Sequence, residues 1–197
     1  MNARDDTFPW TPDSVAADPA LRAPGDHGAA ARASTDPDAF ALLFRAHAPA
    51  IGSYLLRRCG DPHLTDDLVS ETFLAAYRAL DRYEERGVPL RVWLYRIATN
   101  ALHAHVRRSW WRSLVRLDDV AEPTAAETAD PDVDDAEAAR RELERLPRRF
   151  QDVASLFYLE ELSVEQIAAV LDLREGTVKS RLHRARLRLM AAFNARR

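Results

Sequence analysis

A chain of 197 residues, 47% of them hydrophobic, can hold one domain or two small ones, each with a real core. The single Cys59 excludes an internal disulfide and any cysteine-only metal site, and the six histidines lack metal-ligand spacing. A net charge of −3 argues against a uniformly basic nucleic-acid binder.

The charge is unevenly placed. Residues 1–39 carry −4, residues 40–113 carry +4, residues 114–138 carry −8 and residues 139–197 carry +5. Local field, not total charge, governs contact with phosphate, so the two basic blocks remain candidates. β-Branched residues are sparse while Ala, Leu, Arg and Glu abound, which predicts an all-α fold.

In chain order, residues 1–35 are rich in Pro, Ala and Asp and lack any period, so they read as a disordered tail. They lack the basic start and apolar run of a signal peptide. No apolar stretch approaches membrane-spanning length, so no membrane insertion is expected. Asp36-Pro37 is a helix start, and Phe40, Leu43, Phe44, Ile51 and Leu55 form its apolar stripe. Pro49 should kink or split this helix, and Cys59-Gly60-Asp61-Pro62 should end it.

The next helix is expected from a cap at Thr65 or Asp66 to about Leu80, with Leu68, Val69, Phe73, Ala76, Tyr77 and Leu80 inward. Asp66, Asp67, Ser70 and Glu71 crowd the other face of its first turns, where the helix dipole favours acids. A polar loop, 81–89, precedes a third helix from Leu90 to about Arg108. Leu94, Ile97, Ala98, Ala101, Leu102 and Val106 make its core stripe. Arg91, Arg96, Asn100, His103, Arg107 and Arg108 lie off it. Trp93 and Tyr95 interleave with these cations and Trp110 and Trp111 follow, a mixture that suits stacking and pairing with a single strand. Trp93 fits a core position equally well.

Residues 114–138 are acidic, carry Pro123 and Pro131, and read as a flexible linker extended by self-repulsion. The helical pattern returns from Ala139, with Pro147 breaking the first helix and Val153, Leu156, Phe157 and Leu159 patterning the second. Ser163 and Gln166 then form a capping box ahead of Val164, Ile167, Ala168, Val170 and Leu171. After the break at Asp172-Leu173-Arg174 comes a helix with Val178, Leu182, Ala185 and Leu189 on one face. Lys179, Arg181, Arg184, Arg186 and Arg188 occupy the others, which is the pattern of a helix-turn-helix. The whole reads as two small helical domains, 36–113 and 139–197, on an acidic tether.

Two stretches carry a family resemblance: Asp67-Leu-Val-Ser-Glu-Thr-Phe-Leu74 with Trp93-Leu-Tyr-Arg-Ile-Ala-Thr-Asn100, and Gly176-Thr-Val-Lys-Ser-Arg-Leu-His-Arg-Ala-Arg186 behind its capped helix. Together they resemble regions 2 and 4 of the small extracytoplasmic-function group of sigma-70 factors, with no region 3 between. The resemblance implies a cytoplasmic factor that binds core RNA polymerase through its β′ clamp and β subunit. It implies promoter recognition, melting and initiation, without catalysis or a cofactor. Many members are held inactive by an anti-sigma factor.

By the family pattern, Asp67, Ser70 and Glu71 face the polymerase, although members usually carry Gln where this chain has Ser70. Asn100 would read the −10 element beside Trp93, and Arg91, Arg96, Arg107 and Arg108 would hold phosphates. Lys179, Ser180, His183 and Arg184 would face the −35 major groove, joined by Thr177. Arg184 is the first choice for specificity, since Arg on guanine is the commonest specific contact. Arg174 would reach a phosphate, while Arg181 and Arg186 fit phosphate contacts or intradomain ion pairs. The linker would mimic RNA in a basic channel or serve as a soluble spacer. The competing reading is a two-domain helix-turn-helix regulator that acts without docking on polymerase. An enzyme is not expected: there is no Gly-rich phosphate loop and no nucleophile constellation.

Overall fold

The computed structural model describes residues 32–83, 88–115 and 141–194, with the side chains of 112–115 left aside. Most of the expected tail, the 84–87 part of the polar loop and nearly all of the linker lie outside these residues. Among the described residues there is no strand; beside short helical pieces at 32–33 and 141–144 and a 3-10 turn at Leu80–Arg82 stand six longer α-helices. They are α1 (Pro37–Cys59), α2 (Pro62–Ala79), α3 (Leu90–Val115), α4 (Arg148–Tyr158), α5 (Val164–Leu171) and α6 (Glu175–Asn194).

Helix α1 begins as its sequence dictates. Asp36 is the N-cap and its Oδ1 accepts the Asp38 N–H at 2.9 Å, with Pro37 at the first helical position. It ends at Gly60, whose φ of 69° suits glycine and lets its N–H return to the Leu56 carbonyl at 2.8 Å. Pro49 does not split it. Leu43 is buried ahead of the proline and Ile51, Tyr54 and Leu55 beyond it, so burial on both sides offsets the missing hydrogen bond. On length and composition alone α1 could cross a bilayer, which the sequence reading overlooked. Here it is a packed helix of the first domain, its Tyr54 hydroxyl 3.0 Å from Thr99 Oγ1 on α3.

Two boundaries differ from expectation. Helix α2 is capped by Asp61, not Thr65 or Asp66: Asp61 Oδ1 accepts the N–H groups of His63 and Leu64 at 2.9 and 3.2 Å. The Asp-Pro signature that opens α1 is repeated at Asp61-Pro62, and Thr65 instead donates to the Asp61 carbonyl. Helix α3 runs on to Val115 instead of ending near Arg108. The tail boundary moves as well, because residues 32–33 are helical and Ala33 is completely buried.

In the second domain Pro147 stands just outside α4, its carbonyl accepting from Phe150 and Gln151. The capping box of α5 is present in both halves: Gln166 N–H to Ser163 Oγ at 3.1 Å and Ser163 N–H to Gln166 Oε1 at 2.9 Å. Asp172 then takes a left-handed conformation, φ 54° and ψ 51°, and swings the chain into α6.

The two domains are not separate bodies. Val153, Leu156, Leu162, Ile167, Val170, Val178 and Leu182 join the core of α1–α3 in one apolar cluster, and α5 packs across α3. A second cluster of Leu143, Leu146, Phe150, Ala154, Ala185 and Leu189 holds α4 to α6. Helix α4 is therefore buried on nearly every side from Phe150 to Leu156, including Gln151, Asp152 and Ser155.

Candidate nucleic-acid interface

The surface of α6 follows from its buried stripe. Val178, Leu182, Ala185 and Leu189 recur at helical spacing and are buried, so the intervening residues are turned outward. The helix opens on the Arg174 carbonyl, which accepts Thr177 N–H at 2.8 Å and Val178 N–H at 3.1 Å. Arg174, Lys179, Ser180, His183 and Arg184 are exposed; Thr177 and Arg181 are half-buried. Lys179 Nζ lies 3.6 Å from Glu175 in a solvent-exposed pair that costs little to exchange for a phosphate. The Ser180 hydroxyl donates to the Thr177 carbonyl at 3.1 Å.

The remaining cations of α6 serve the domain itself. Arg186 Nε donates to the Tyr158 hydroxyl at 3.3 Å. Arg188 and Arg149 lie over the Phe150 ring at 5.2 and 4.8 Å. For Arg186 the open choice between phosphate and intradomain partner falls to an intradomain hydrogen bond, with a phenol in place of an acid. The Arg188–Phe150 contact had no signal in the sequence, because it joins residues on different helices, α6 and α4.

On α3, Arg96, Asn100, Arg107 and Arg108 are exposed as expected. Trp93 is half-buried and packs on Tyr83, ring centroids 4.9 Å apart, beside Arg82, Val88 and Arg96. Trp110 and Trp111 stand out at 56% and 59% exposure, edge to face at 5.1 Å. Tyr95 cannot stack on a base, because it is completely buried against Tyr54. Burial pushes its phenol up, and the nearby Glu160 carboxylate adds to the shift, so Tyr95 stays protonated and donates to Glu160. Arg91 is not a free phosphate ligand in this form: its Nη2 donates to the Glu160 carbonyl at 2.7 Å.

Asp67, Ser70 and Glu71 share one exposed face of α2, continued by Leu74 and Tyr77 at 50% and 46% exposure. Since α2 starts at Pro62, no acid lies in its first turn. The dipole, which falls off within that turn, therefore does not account for Asp67 and Glu71. Glu71 Oε2 is 3.4 Å from Arg108 Nη2, an exposed pair that puts the acidic face of α2 beside the basic face of α3.

Sequence reasoning missed Asp152 and Glu160. Both are 5% exposed and both take partners from the other domain. Asp152 pairs with Arg58 and lies 3.2 Å from His103; Glu160 pairs with Arg57 and accepts from Tyr95. The outlying position of Asp152 relative to the Val153–Leu156 stripe gave no hint of burial. Among the described residues no group of His, Cys, Asp and Glu could hold a metal ion.

Comparison with known proteins bears on these surfaces together. A family model described as Sigma-70 region 2 matches residues 43–112, and one described as Sigma-70, region 4 matches residues 136–189. The chain is 34% identical over 163 residues to the ECF RNA polymerase sigma factor SigL of Mycobacterium tuberculosis, spanning 79% of this chain and 91% of that one. It is 28% identical over 154 residues to the ECF RNA polymerase sigma factor SigM of Bacillus subtilis, spanning 77% and 93%. Among solved structures it is similar to the sigma factor RpoE in complex with the anti-sigma factor NepR from Bartonella quintana. That similarity has a TM-score of 0.65 at 26% identity, over 80% of this chain and 98% of the other.

Proposed function

The chain belongs to the ECF sigma factors of the sigma-70 family, and from that membership we propose which of its surfaces does which part of the work. As a sigma factor it binds core RNA polymerase and directs promoter recognition, DNA melting and transcription initiation. It acts by binding, as its relatives do, and a cytoplasmic location suits a partner of polymerase and chromosomal DNA. An anti-sigma factor, the class that accompanies the solved relative, is a further partner.

In this assignment residues 36–113 carry polymerase docking and the −10 element, and residues 139–197 carry the −35 element. The observation that carries it is the division of labour on α6: four apolar residues buried and Lys179, Ser180, His183 and Arg184 outward, with Arg174 exposed just before the helix, behind the capped α5. A helix so presented enters the major groove, where Arg184 has the reach and donor geometry for guanine. Lys179 and Arg174 supply phosphate contacts, which set affinity and salt dependence. On α3, Asn100 reads a base, while Arg96, Arg107 and Arg108 follow the backbone. Asp67, Ser70 and Glu71 meet a basic surface of the polymerase, where opposite charge steers fast docking.

The test is reconstitution. The purified chain is mixed with core polymerase and DNA holding a candidate promoter, and start-site-specific transcripts are mapped. Specific initiation is the expected result; failure to bind core polymerase overturns the assignment.

A further inference from the structure

Helix α3 outruns its expected end near Arg108 by about two turns, and that extension carries Trp110 and Trp111. Both indoles stand more than half exposed, edge to face on one another, and neither joins either apolar cluster. Two paired indoles at a solvated helix end leave apolar surface in water, which marks a surface that another molecule covers. Their position on the helix says what lies beside them. At about 100° per residue, Arg96, Arg107 and Trp111 fall within roughly 40° of Asn100, and all four are exposed. The buried Leu94, Ala98 and Leu102 lie on the opposite side. One straight stripe therefore runs from Arg96 through Asn100 to Trp111. Trp111 lies about 16 Å beyond Asn100 at a rise of about 1.5 Å per residue.

The chemistry of the stripe selects an unpaired strand. An indole carries one N–H donor and no acceptor, so it reads little at a base edge. Its flat face stacks on the face of a base, which a duplex hides between neighbouring bases. Arg107 and Arg108 stand just before the pair, and the exposed contact of Arg108 with Glu71 costs little to exchange for a phosphate. A cationic approach to an aromatic platform fits a nucleic-acid strand, whereas an apolar protein surface would bury those arginines without a partner. Trp93 is less available, being half-buried against Tyr83. The distance from Asn100 to Trp111 spans about five stacked base steps at about 3.4 Å each.

We propose that Trp110 and Trp111 form a base-stacking platform for the melted promoter strand, separate from the site of Asn100 and within about five nucleotides of it. That the strand is the promoter's rests on the sigma-factor assignment; affinity for an unpaired strand does not. Core polymerase reconstituted with the full chain is titrated with a fork DNA, paired at −35 and unpaired at −10, and with the same DNA fully paired. Trp110→Ala combined with Trp111→Ala should weaken fork binding roughly tenfold, the effect of one lost base stack. Affinity for core polymerase, affinity for a −35 duplex and helical content should not change. Phenylalanine at both positions should keep most of the fork affinity. Abasic sugars are then placed one at a time along the unpaired strand. In the parent chain they should reproduce the loss within about five nucleotides of the base to which Asn100→Ala is blind, and in the double alanine variant they should add nothing there. An equal loss on fork and paired DNA, a loss of polymerase affinity, or an abasic profile that the substitutions do not alter overturns the platform. A parent chain with no promoter-specific fork binding removes the sigma-factor assignment. The free chain and an unpaired oligonucleotide of the same sequence then decide the platform: a roughly tenfold loss in the double variant supports it, and unchanged affinity overturns it.

Discussion

Replacing Ser163 by Ala isolates the helix-turn-helix scaffold from its reading surface. Helix α5 has only eight residues, too few to hold itself in water, so its end contacts and its buried Ile167 and Val170 must stabilise it. Ser163→Ala removes the acceptor for the Gln166 N–H and leaves the backbone N–H of residue 163 free to donate to Gln166 Oε1 as before. The expected loss is about 1 kcal/mol, the usual cost of an N-cap Ser→Ala change. Because Ile167 and Val170 belong to the core shared with α1–α3, that lowers the thermal midpoint by roughly 2–4 °C. Ser163→Gly should cost only a few tenths of a kcal/mol, because glycine is itself tolerated at the cap. Urea titrations followed by far-UV circular dichroism supply the numbers, and affinity for a −35 duplex is measured well below the midpoint. Since the reading residues lie on α6, that affinity should not change. A stability loss under about 0.3 kcal/mol would refute the capping argument. A loss of duplex affinity comparable to that of an α6 cation would refute the separation of scaffold from surface.

Arg184→Ala should cost about 1–3 kcal/mol of discrimination at one −35 position if it reads a base, measured by competition between single-position promoter variants. An equal loss on every sequence would make it a phosphate contact. Asp67→Ala combined with Glu71→Ala should slow association with core polymerase by roughly tenfold at low salt and leave −35 duplex affinity unchanged, as stopped-flow and duplex titrations would show. The raised Tyr95 phenol predicts an alkaline limit. A pKa raised on folding stabilises fully below the unfolded value, ordinarily 10.0, and that stabilisation is lost as pH climbs beyond it toward the folded value. Tyr95→Phe should flatten the fall in urea midpoint above about pH 10, with a residual slope from Tyr54, whose burial also raises it. Identical slopes in the two chains would contradict this.

Local signals were legible and relational ones were not. The Asp36-Pro37 start, the Gly60 stop and the Ser163–Gln166 box each depend on residues within four positions, and each stands as read. The Asp61 cap was also present as a signature but was read as the previous helix's terminator. Of the two outcomes expected at Pro49, the split is absent, because the proline's penalty is local while its compensation, Leu43 on one side and Ile51, Tyr54 and Leu55 on the other, is tertiary. The exposed reading face of α6 could be deduced by subtraction from its apolar stripe. Arg91 and Tyr95 could not, since their status depends on Glu160, 69 and 65 residues away.

That dependence says something about how two weak grips share one chain. The docked contact and a second DNA contact are both intramolecular once the first grip is made. The tether supplies each with an effective concentration of similar order, so tether length cannot by itself decide between them. The decision rests on the difference between contacts: Asp152 and Glu160 against five first-domain side chains, or phosphates against exposed Arg and Lys. Moving such a balance from 1:99 to 99:1 takes about 5.5 kcal/mol of differential binding. Truncating one partner of a buried pair already costs about 3–5 kcal/mol. Truncating Glu160 or Arg57 alone should therefore weaken the contact between the domains by an amount of that order.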